Sequence, residues 1–396
     1  MPSFGWEPII LAVDEKYYEE KLDWNLHKLL PENQHIEKVN AFKVTKPRLI
    51  GDIGIRAFFQ LYKKAKEIIK IEKIDFLFIP IPSFYCALLG RCLHRSTGVK
   101  YGIDYIDPWV HFFPGSNKKF SRHWFSTQVA KFLEPIAIKK ASLITGVAEG
   151  YYQGVIDRNP KLKADVVFGA MPYGGELMDH TKLAGLNINP YLFEKKSDKI
   201  QLVYAGAMLP KAYGLLQQIF SAIQHDSDVF KNVEFHFIGT GRRANDASSY
   251  NIKPYAVEYG LWETVIFEYP QRIPYLEVLI HLNIASAIFI LGSTEPHYTP
   301  SKVYQGILAG KAIVAVLHEK STAASVITEA NAGMVLTFDG EENIKDVGVK
   351  FTNFWKNFIN YLQNFKAEDV DTSVFNKFSA YNVTSELATL LNKAIG

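Results

Sequence analysis

Short apolar runs alternate with amphipathic stretches along most of the chain, and this rhythm predicts a mixed α/β protein. In the first half, apolar runs predict strands at 7–13, 74–81, 100–107, 142–148 and 164–171. Amphipathic stretches between these strands predict helices at 53–73, 83–98, 125–141 and 149–160. Such alternation is typical of a parallel sheet with helices on both faces.

The alternation stops at 173–199, which is rich in glycine and charge, and then resumes. Predicted strands follow at 200–208, 233–241, 265–270, 284–291, 312–317 and 333–339, with helices at 213–226, 273–283, 301–310, 349–365 and 383–395. We therefore predict an N-terminal domain at 1–183, a linker at 184–199, a second α/β domain at 200–372, and a helical segment at 373–396 that could cross back to the first domain.

The stretch "GSTEPHYTPSKVYQGILAG" (292–310) concentrates polar residues between a buried strand and a helix. Thr299 is a suitable N-cap, Pro300 suits the first helical position, and Gly310 provides a helix stop. Free N–H groups at such a helix start attract anions, and Lys302 adds a positive charge. The segment predicts a phosphate or diphosphate site. A capped helix with a solvated lysine is the other interpretation.

Composition narrows the class of protein. The chain has 396 residues, 48% of them hydrophobic and 21% charged, which is typical of a folded, globular protein. Its two cysteines lack metal-site spacing and favour a reducing compartment, and no secretion signal opens the chain, so we expect a cytoplasmic location. The net charge of +3 is too small for a nucleic-acid-binding surface.

Several segments, taken in order, resemble the two-Rossmann-domain (GT-B) glycosyltransferases, and among them the large bacterial group called family 4, whose members build polysaccharides and lipopolysaccharides. These segments are "DFLFIPIPSFYCALLGRCLHRSTGVKYGIDYIDPWV", "EPIAIKKASLITGVAEGYYQGV", "IQLVYAGAMLPKAYGLL", "FHFIGTG", "VIFEYPQRIPYLEVL" and "TPSKVYQGILAGKAIVA". The resemblance implies two Rossmann-like domains facing each other across a cleft. It also implies transfer of a sugar from a nucleotide-diphosphate sugar to a glycan or a lipid-linked acceptor, with retention.

The resemblance assigns site residues to the second domain. Those expected to bind the donor diphosphate are Gly206, Lys211, Tyr298, Ser301, Lys302 and Gln305. Those expected in the loops around the nucleotide base are Gly239, Gly241, Arg272 and Ile273. Oriented N–H donors and fixed positive charge suit a departing diphosphate. Neither a metal nor a cofactor is expected, because the family works without a metal and no carboxylate pair is arranged here for Mg²⁺.

The sequence departs from the family pattern at two places. Ala207 stands where an arginine usually follows the first-loop glycine, and Gln305 replaces the acidic residue that contacts the ribose. Glu295 could stand for the first of the usual pair of glutamates. These changes leave the identity of the donor open.

In the first domain, Asp107 and His111 follow a predicted strand, where they could orient the acceptor hydroxyl or take its proton. The alternatives are that Asp107 caps a turn and that His111 lies on the surface. The basic and aromatic stretch 117–133 is interpreted as an ordinary amphipathic helix or as a contact with a membrane-bound acceptor. The second interpretation would place the protein peripherally at the inner face of a membrane.

The family's first strand and glycine-rich loop have no counterpart before "PSFGWEPIILAV". We therefore expect the first βα unit to be missing here, either because the true start lies upstream or because this is a truncated form, which we would expect to be impaired.

Three other functions remain open. "GTGRRA" holds a weak dinucleotide fingerprint at Gly239, Gly241 and Ala244, with Glu258 as a candidate ribose ligand, which would favour an NAD oxidoreductase. A nucleotide-sugar epimerase would need Glu295 and His297 at the sugar. A non-catalytic nucleotide-binding relative is the third alternative.

Overall fold

The structure is a computed structural model that describes residues 1–19, 22–45, 50–110, 118–164, 166–172, 174–243, 245–294 and 302–396. The chain divides into two compact units. Unit 1 comprises Met1–Leu22, Pro31–Tyr173 and Tyr381–Gly396, and unit 2 comprises Asp23–Leu30 and Gly174–Ala380. Each unit is a parallel α/β structure, as the alternation predicted.

Unit 1 holds two separate parallel sheets among its described residues. The first pairs β1 (Ile10–Val13) with β2 (Ile36–Val39), and the second has the order β3 (Phe76–Pro80), β4 (Lys100–Tyr105), β5 (Leu143–Gly146), β6 (Val167–Ala170). Its helices are α1 (Ile53–Ile71), α2 (Ala87–Thr97), α3 (Arg122–Ile138), α4 (Glu149–Arg158) and, at the end of the chain, α14 (Ala380–Ile395).

Local sequence explains where these helices begin and end. Asp52 caps α1 by accepting a hydrogen bond from the Ile55 amide at 2.8 Å, and Ser121 caps α3 through the Trp124 amide at 3.1 Å. Helix α2 ends at Gly98, whose φ of 81° is in the left-handed region. The last helix packs in unit 1, where Trp6 Nε1 donates to Asn392 Oδ1 at 3.1 Å.

Unit 2 is built on one six-stranded parallel sheet. Its strands are β7 (Ile200–Ala205), β8 (Val233–Ile238), β9 (Ile266–Tyr269), β10 (Ala287–Leu291), β11 (Ala312–His318) and β12 (Gly333–Phe338). Its helices are α5 (Leu177–Leu183), α6 (Tyr213–His225), α7 (Ser227–Phe230), α8 (Lys253–Glu258), α9 (Tyr275–Ile284), α10 (Lys302–Leu308), α11 (Thr322–Glu329), α12 (Ile344–Asn364) and α13 (Thr372–Asn376).

The strand order in unit 2 is β12-β11-β10-β7-β8-β9. The chain therefore builds outward from β7 in one direction through β8 and β9, then returns to add β10, β11 and β12 on the other side. This is the order of a Rossmann sheet, in which the strand order reverses between β7 and β10. Strands β10 and β11 are buried along their whole length, which explains their continuous apolar sequence.

Some elements were not predicted from the sequence. Strand β2 has only four residues, which is too short for its hydrophobic alternation to identify it in the sequence. It is stabilised by pairing with β1. Helix α5 lies within the irregular stretch 173–199 and groups with unit 2, although the sequence placed 174–183 in the first domain. A seven-residue helix is marginal in isolation, so its formation depends on packing. Within the described ranges, no helix combines the length and apolarity needed to cross a bilayer.

Candidate functional site

The carboxyl ends of the central strands in unit 2 carry two glycines in left-handed backbone conformations. Gly206 follows β7 with a φ of 115°, and Gly239 follows β8 with a φ of 72°. The two loops are adjacent, since a Cβ placed on Gly239 would lie 3.9 Å from the Gly206 Cα. Conformations of this kind favour glycine because side chains are strained there. Both loops therefore turn at this edge through glycines, and neither glycine places a side chain over the ends of the strands.

Lys302 occupies the space over the first of these glycines. Its Nζ donates a hydrogen bond to the Tyr204 hydroxyl at 2.9 Å and lies 4.2 Å from the ring centroid. A Cβ placed on Gly206 would lie only 2.8 Å from the Lys302 Cε. Because Lys302 follows β10 and Tyr204 belongs to β7, the ammonium lies at the point where the strand order reverses. Ligands of open α/β sheets bind at that point.

Tyr204 is a neutral anchor for this lysine. Its side chain is buried in the sheet, and burial raises the pKa of the phenol well above its usual range. The hydroxyl therefore stays protonated while it accepts the hydrogen bond from Lys302. The tyrosine ring also lies in cation–π range of the ammonium. Both contacts orient the positive charge without neutralising it.

Arg272 adds a second cation beside the neighbouring loop. It is an exposed residue after β9, and its Cα and Cγ would each lie 3.7 Å from a Cβ on Gly239. Ile273 is partly buried and packs against the core of unit 2.

Gly241 must be glycine for a steric reason, because a Cβ there would lie 2.6 Å from the Pro270 carbonyl oxygen. Lys211 is exposed on the 3-10 turn Pro210–Ala212, between β7 and α6.

A buried carboxylate that was not predicted from the sequence holds the loop after β8. Glu268 on β9 accepts hydrogen bonds from the Thr240 hydroxyl at 2.8 Å and from the backbone amides of Ile252 and Lys253 at 2.9 and 2.8 Å. The backbone N–H of Asn251 donates to the same carboxylate at 2.9 Å. An acidic residue in an otherwise apolar strand was the only signal for this role in the sequence.

This loop also bears on the dinucleotide interpretation. In that motif the glycines lead directly into a helix. Here Gly239 and Gly241 lead into a loop fixed on Glu268, and the next helix, α8, begins only at Lys253. Among the described residues, this loop therefore lacks the direct strand–loop–helix connection of the motif, which does not favour NAD binding; Ala244 lies outside those residues.

Gln305 is engaged by a neighbouring helix. Its Oε1 lies 3.1 Å from Nε2 of His180 on α5. Burial lowers the pKa of His180, so the ring is neutral and its Nε2–H donates to the amide oxygen. The contact with a ribose stays a prediction, and it would have to involve the amide nitrogen or a rearranged side chain.

In unit 1, Asp107 lines a pocket of about 440 Å³ at the carboxyl side of β3 and β4. The remaining lining residues are Pro82, Phe84, Tyr85, Pro108, Trp109, His123, Ser126 and Thr127. Trp109 stacks on Phe84 with ring centroids 6.2 Å apart. Aromatic walls with a few polar groups are typical of sites that bind sugars or other small molecules. Asp107 was predicted from the sequence as a site residue, whereas His123, at the start of α3, was not.

Several solved structures are similar to this architecture over nearly the whole chain. A glycosyltransferase from Rickettsia africae ESF-5 aligns with a TM-score of 0.60 at 16% identity, over 99% of this chain and 91% of that one. The Anabaena protein HepE, solved in complex with UDP, aligns at 0.59 and 13%, over 97% and 100%. Sucrose-phosphate synthase from Thermosynechococcus elongatus aligns at 0.62 and 11%, over 99% and 90%. The chain has the GT-B fold.

At the level of sequence, no protein-family model and no curated protein matches the chain. The predicted GT-B architecture of two Rossmann-like domains is confirmed, whereas family 4 membership stays a prediction. Within the GT-B fold, the geometry brings together Gly206, Gly239, Arg272 and Lys302.

Other predicted site residues lie outside the part of the chain that the structure describes. These are His111 in unit 1 and Glu295, His297, Tyr298 and Ser301 before α10, together with the predicted cap Thr299 and Pro300. Among the residues that are described, no group of three or more His, Cys, Asp or Glu side chains is arranged to hold a metal ion.

Proposed function

We propose that this protein is a glycosyltransferase that moves a sugar from a nucleoside-diphosphate sugar to a glycan or lipid-linked acceptor. The observation that carries the proposal is the position of Lys302, whose ammonium is held over Gly206 at the switch point of a Rossmann sheet. A nucleoside diphosphate brings negative charge to that point, and Lys302 and Arg272 bring positive charge.

The chemistry follows from these charges. As the bond between the sugar and the diphosphate breaks, negative charge grows on the leaving phosphate oxygens, and a fixed cation stabilises it. Lys302 is fixed because Tyr204 both accepts its hydrogen bond and lies under its ammonium. Lys211, on the turn after β7, would add charge on the same side of the donor. We assign the diphosphate to this lysine-lined edge and the base to the loops after β8 and β9, which hold Gly239, Gly241, Arg272 and Ile273.

The acceptor belongs to unit 1 in this proposal. Asp107 is the carboxylate of the aromatic pocket, and it would orient the acceptor hydroxyl rather than act as a strong general base. A reaction with retention, without a metal, and of the family 4 type is part of the same proposal, as is His111 as a second acceptor contact. A lipid-linked acceptor would bring the protein to the inner face of a membrane.

A nucleotide-binding relative without transferase activity is the second candidate. The engagement of Gln305 by His180 supports it, because the position that would contact the ribose is occupied by a protein partner. Both candidates require a nucleoside diphosphate at Lys302, and only the first requires turnover.

The test is a binding titration followed by a turnover assay. UDP and UDP-glucose, the ligands bound to HepE, are titrated first by calorimetry, then other nucleoside diphosphates and their sugars. Lys302→Met should weaken binding roughly tenfold to hundredfold, the value of a hydrogen bond to a charged group. Lys345→Met, an exposed lysine on α12, is the matched control and should bind as the wild type does.

Release of nucleoside diphosphate in the presence of an acceptor then separates the two candidates. Product NMR reports the anomeric configuration, and unchanged rates in EDTA would support a metal-independent reaction. If Lys302→Met binds every nucleotide as tightly as Lys345→Met does, the diphosphate assignment is wrong. Tight binding without turnover of any donor would leave the non-catalytic candidate.

A further inference from the structure

Helix α3 of unit 1 presents an apolar stripe to solvent. Phe125, Val129, Phe132 and Ile136 are all exposed, with Phe125 at 53% and Phe132 at 71%. Their spacings of four, three and four residues place them within about 60° of arc on one side of the helix. Phe120, just before the helix, is 77% exposed and extends this stripe, with its ring centroid 5.6 Å from that of Trp124.

The stripe is additional to the face that packs on the core. The opposite side of α3 is buried through Thr127, Ala130, Glu134, Ala137 and Ile138. On that side, Glu134 accepts hydrogen bonds from Arg158 Nε at 2.9 Å and Nη2 at 2.6 Å. The helix thus packs on the rest of unit 1 through one face, while its apolar stripe on the other side stays exposed to solvent. A contiguous exposed apolar surface of this kind marks an interaction site.

Positive charge surrounds the stripe. The exposed basic residues between 118 and 140 are Lys118, Lys119, Arg122, Lys131, Lys139 and Lys140. The only carboxylate in this segment is Glu134, which is buried and paired with Arg158. Lys139 and Lys140 flank the stripe at its C-terminal end, and Lys118, Lys119 and Arg122 lie at its N-terminal end. The surface therefore combines aromatic side chains with a basic rim.

This combination selects one kind of partner. Aromatic rings and basic rims are typical of helices that lie at the interface of an anionic bilayer. A second copy of the chain fits less well, because a two-fold contact would bring two basic rims together and like charges would repel. We propose that the α3 stripe, with Phe120 and the flanking lysines, docks unit 1 on an anionic lipid bilayer.

The location of the stripe gives this docking a consequence for the reaction. His123, Ser126 and Thr127 of the same helix line the pocket that contains Asp107. A helix lying in the membrane interface would hold that pocket next to the lipid headgroups. In this respect the inference rests on the proposed function, because it selects lipid-linked acceptors over free glycans. The docking itself requires no turnover and is measured separately.

The experiment is co-sedimentation of the full chain with vesicles of phosphatidylcholine, with and without phosphatidylglycerol, at low and high salt. The wild type should sediment with the phosphatidylglycerol vesicles, and salt should weaken the binding because part of it is electrostatic. Lys139→Glu/Lys140→Glu should weaken binding about thirtyfold or more, from about 1 kcal/mol per basic residue near the surface. Phe125→Ser/Phe132→Ser should weaken it roughly hundredfold, as both rings leave the interface.

The matched control is Val349→Ser, a substitution at an 84% exposed apolar residue on α12 of unit 2, which should bind vesicles as the wild type does. All variants change exposed side chains, so their melting temperatures should match the wild type. Equal binding to vesicles with and without phosphatidylglycerol would overturn the proposal, as would wild-type binding by the Phe125→Ser/Phe132→Ser variant. A dimer that depends on Phe125 and Phe132, with no vesicle binding, would assign the stripe to self-association instead.

A parallel UDP titration separates the two proposals. Loss of vesicle binding with intact UDP binding would overturn only the docking surface. Retained vesicle binding without any nucleotide binding would overturn only the transferase.

Discussion

The two units are built from the same alternation of strand and helix, yet they form their candidate sites in different ways. In unit 2, one six-stranded sheet reverses its order between β7 and β10, and Lys302 meets Gly206 at that point. In unit 1, the described strands belong to two sheets, and Asp107 lies in a pocket built from loops and the start of α3. Strand pairing, rather than the alternation itself, decides where each site forms.

The units also differ in what they leave exposed. The loop after β8 in unit 2 is fixed from inside the protein by Glu268, which accepts four backbone or hydroxyl donors. The long helix α3 in unit 1 has an apolar face in solvent. A rigid loop suits a small anionic ligand, whereas an open apolar face suits a large partner.

The largest effect is expected at Glu268 in unit 2. Glu268→Ala removes the shared acceptor and leaves buried N–H groups unpaired, which should cost about 3 to 5 kcal/mol of unfolding free energy. Glu258→Ala, on the exposed surface of α8, is the matched control and should change stability little. Urea denaturation measures both. Equal stability of the two variants would show that the loop is held in another way.

Asp107 tests the assignment of the acceptor to unit 1. Asp107→Ala should lower kcat/KM about a hundredfold while the affinity for UDP stays unchanged, because the proposed function gives this carboxylate a contact with the acceptor and none with the donor. Asp75→Ala, an exposed carboxylate of the same unit, should behave as the wild type in both assays. A matching loss of UDP affinity in the Asp107 variant would contradict the division of roles between the units.

Two glycines at positive φ, one in each unit, allow a direct comparison of the units. Val at Gly206 or at Gly98 meets positive φ values of 115° and 81°, so each substitution should cost about 1 to 3 kcal/mol of stability. Only Gly206→Val also pushes against Lys302, whereas a Cβ on Gly98 meets nothing within 4 Å. UDP affinity should therefore fall in Gly206→Val and not in Gly98→Val. Similar affinities in both would dissociate Lys302 from the nucleotide.

The smallest effect concerns two buried histidines that hold the segment before β7 on unit 2. His281 Nε2 accepts hydrogen bonds from the Tyr191 and Leu192 amides at 3.2 and 3.1 Å, and His236 stacks on Phe193 with centroids 3.9 Å apart. Burial lowers the pKa of both rings below the ordinary value of 6.5, although Glu234 lies beside His236.

The unfolded chain therefore binds more protons than the folded one as the pH falls below about 6.5, and unit 2 should lose stability there. His236→Phe keeps the stacking area and should reduce the slope of stability against pH by roughly 1 kcal/mol per pH unit. Denaturation midpoints between neutral and acidic pH measure it. His225→Phe, an exposed histidine, is the control and should leave the slope unchanged.

Much of the architecture could be predicted because it depends on local pattern. The strands of unit 2 are continuous apolar runs and its long helices are amphipathic, so both were found, although α12 begins at Ile344 rather than at 349. Helix α5 and strand β2 were missed because each is stabilised by contacts with distant segments. The expected absence of a first βα unit stays a prediction.

The candidate site was predictable only in part. Lys302 could be selected because a strand–turn–helix pattern predicts an anion site at a strand's carboxyl end, and Gly206 could be selected through the resemblance to GT-B glycosyltransferases. The support of Tyr204 beneath Lys302 could not, since the two residues are 98 positions apart and meet only through the pairing of β7 with β10. The same holds for His180 and Gln305, whose contact depends on α5 packing near α10.

By itself, the sequence determined the alternation of strands and helices and the helix caps at Asp52 and Ser121, because these depend on neighbours along the chain. Tertiary structure decided the order of the strands, and with it which charges share one edge. It also decided which face of α3 is buried, since the face with Phe125, Val129, Phe132 and Ile136 is exposed while the face with Thr127 and Glu134 is buried, the reverse of what local pattern alone favours. Contacts between distant residues carry that information, and those contacts exist only in the folded protein.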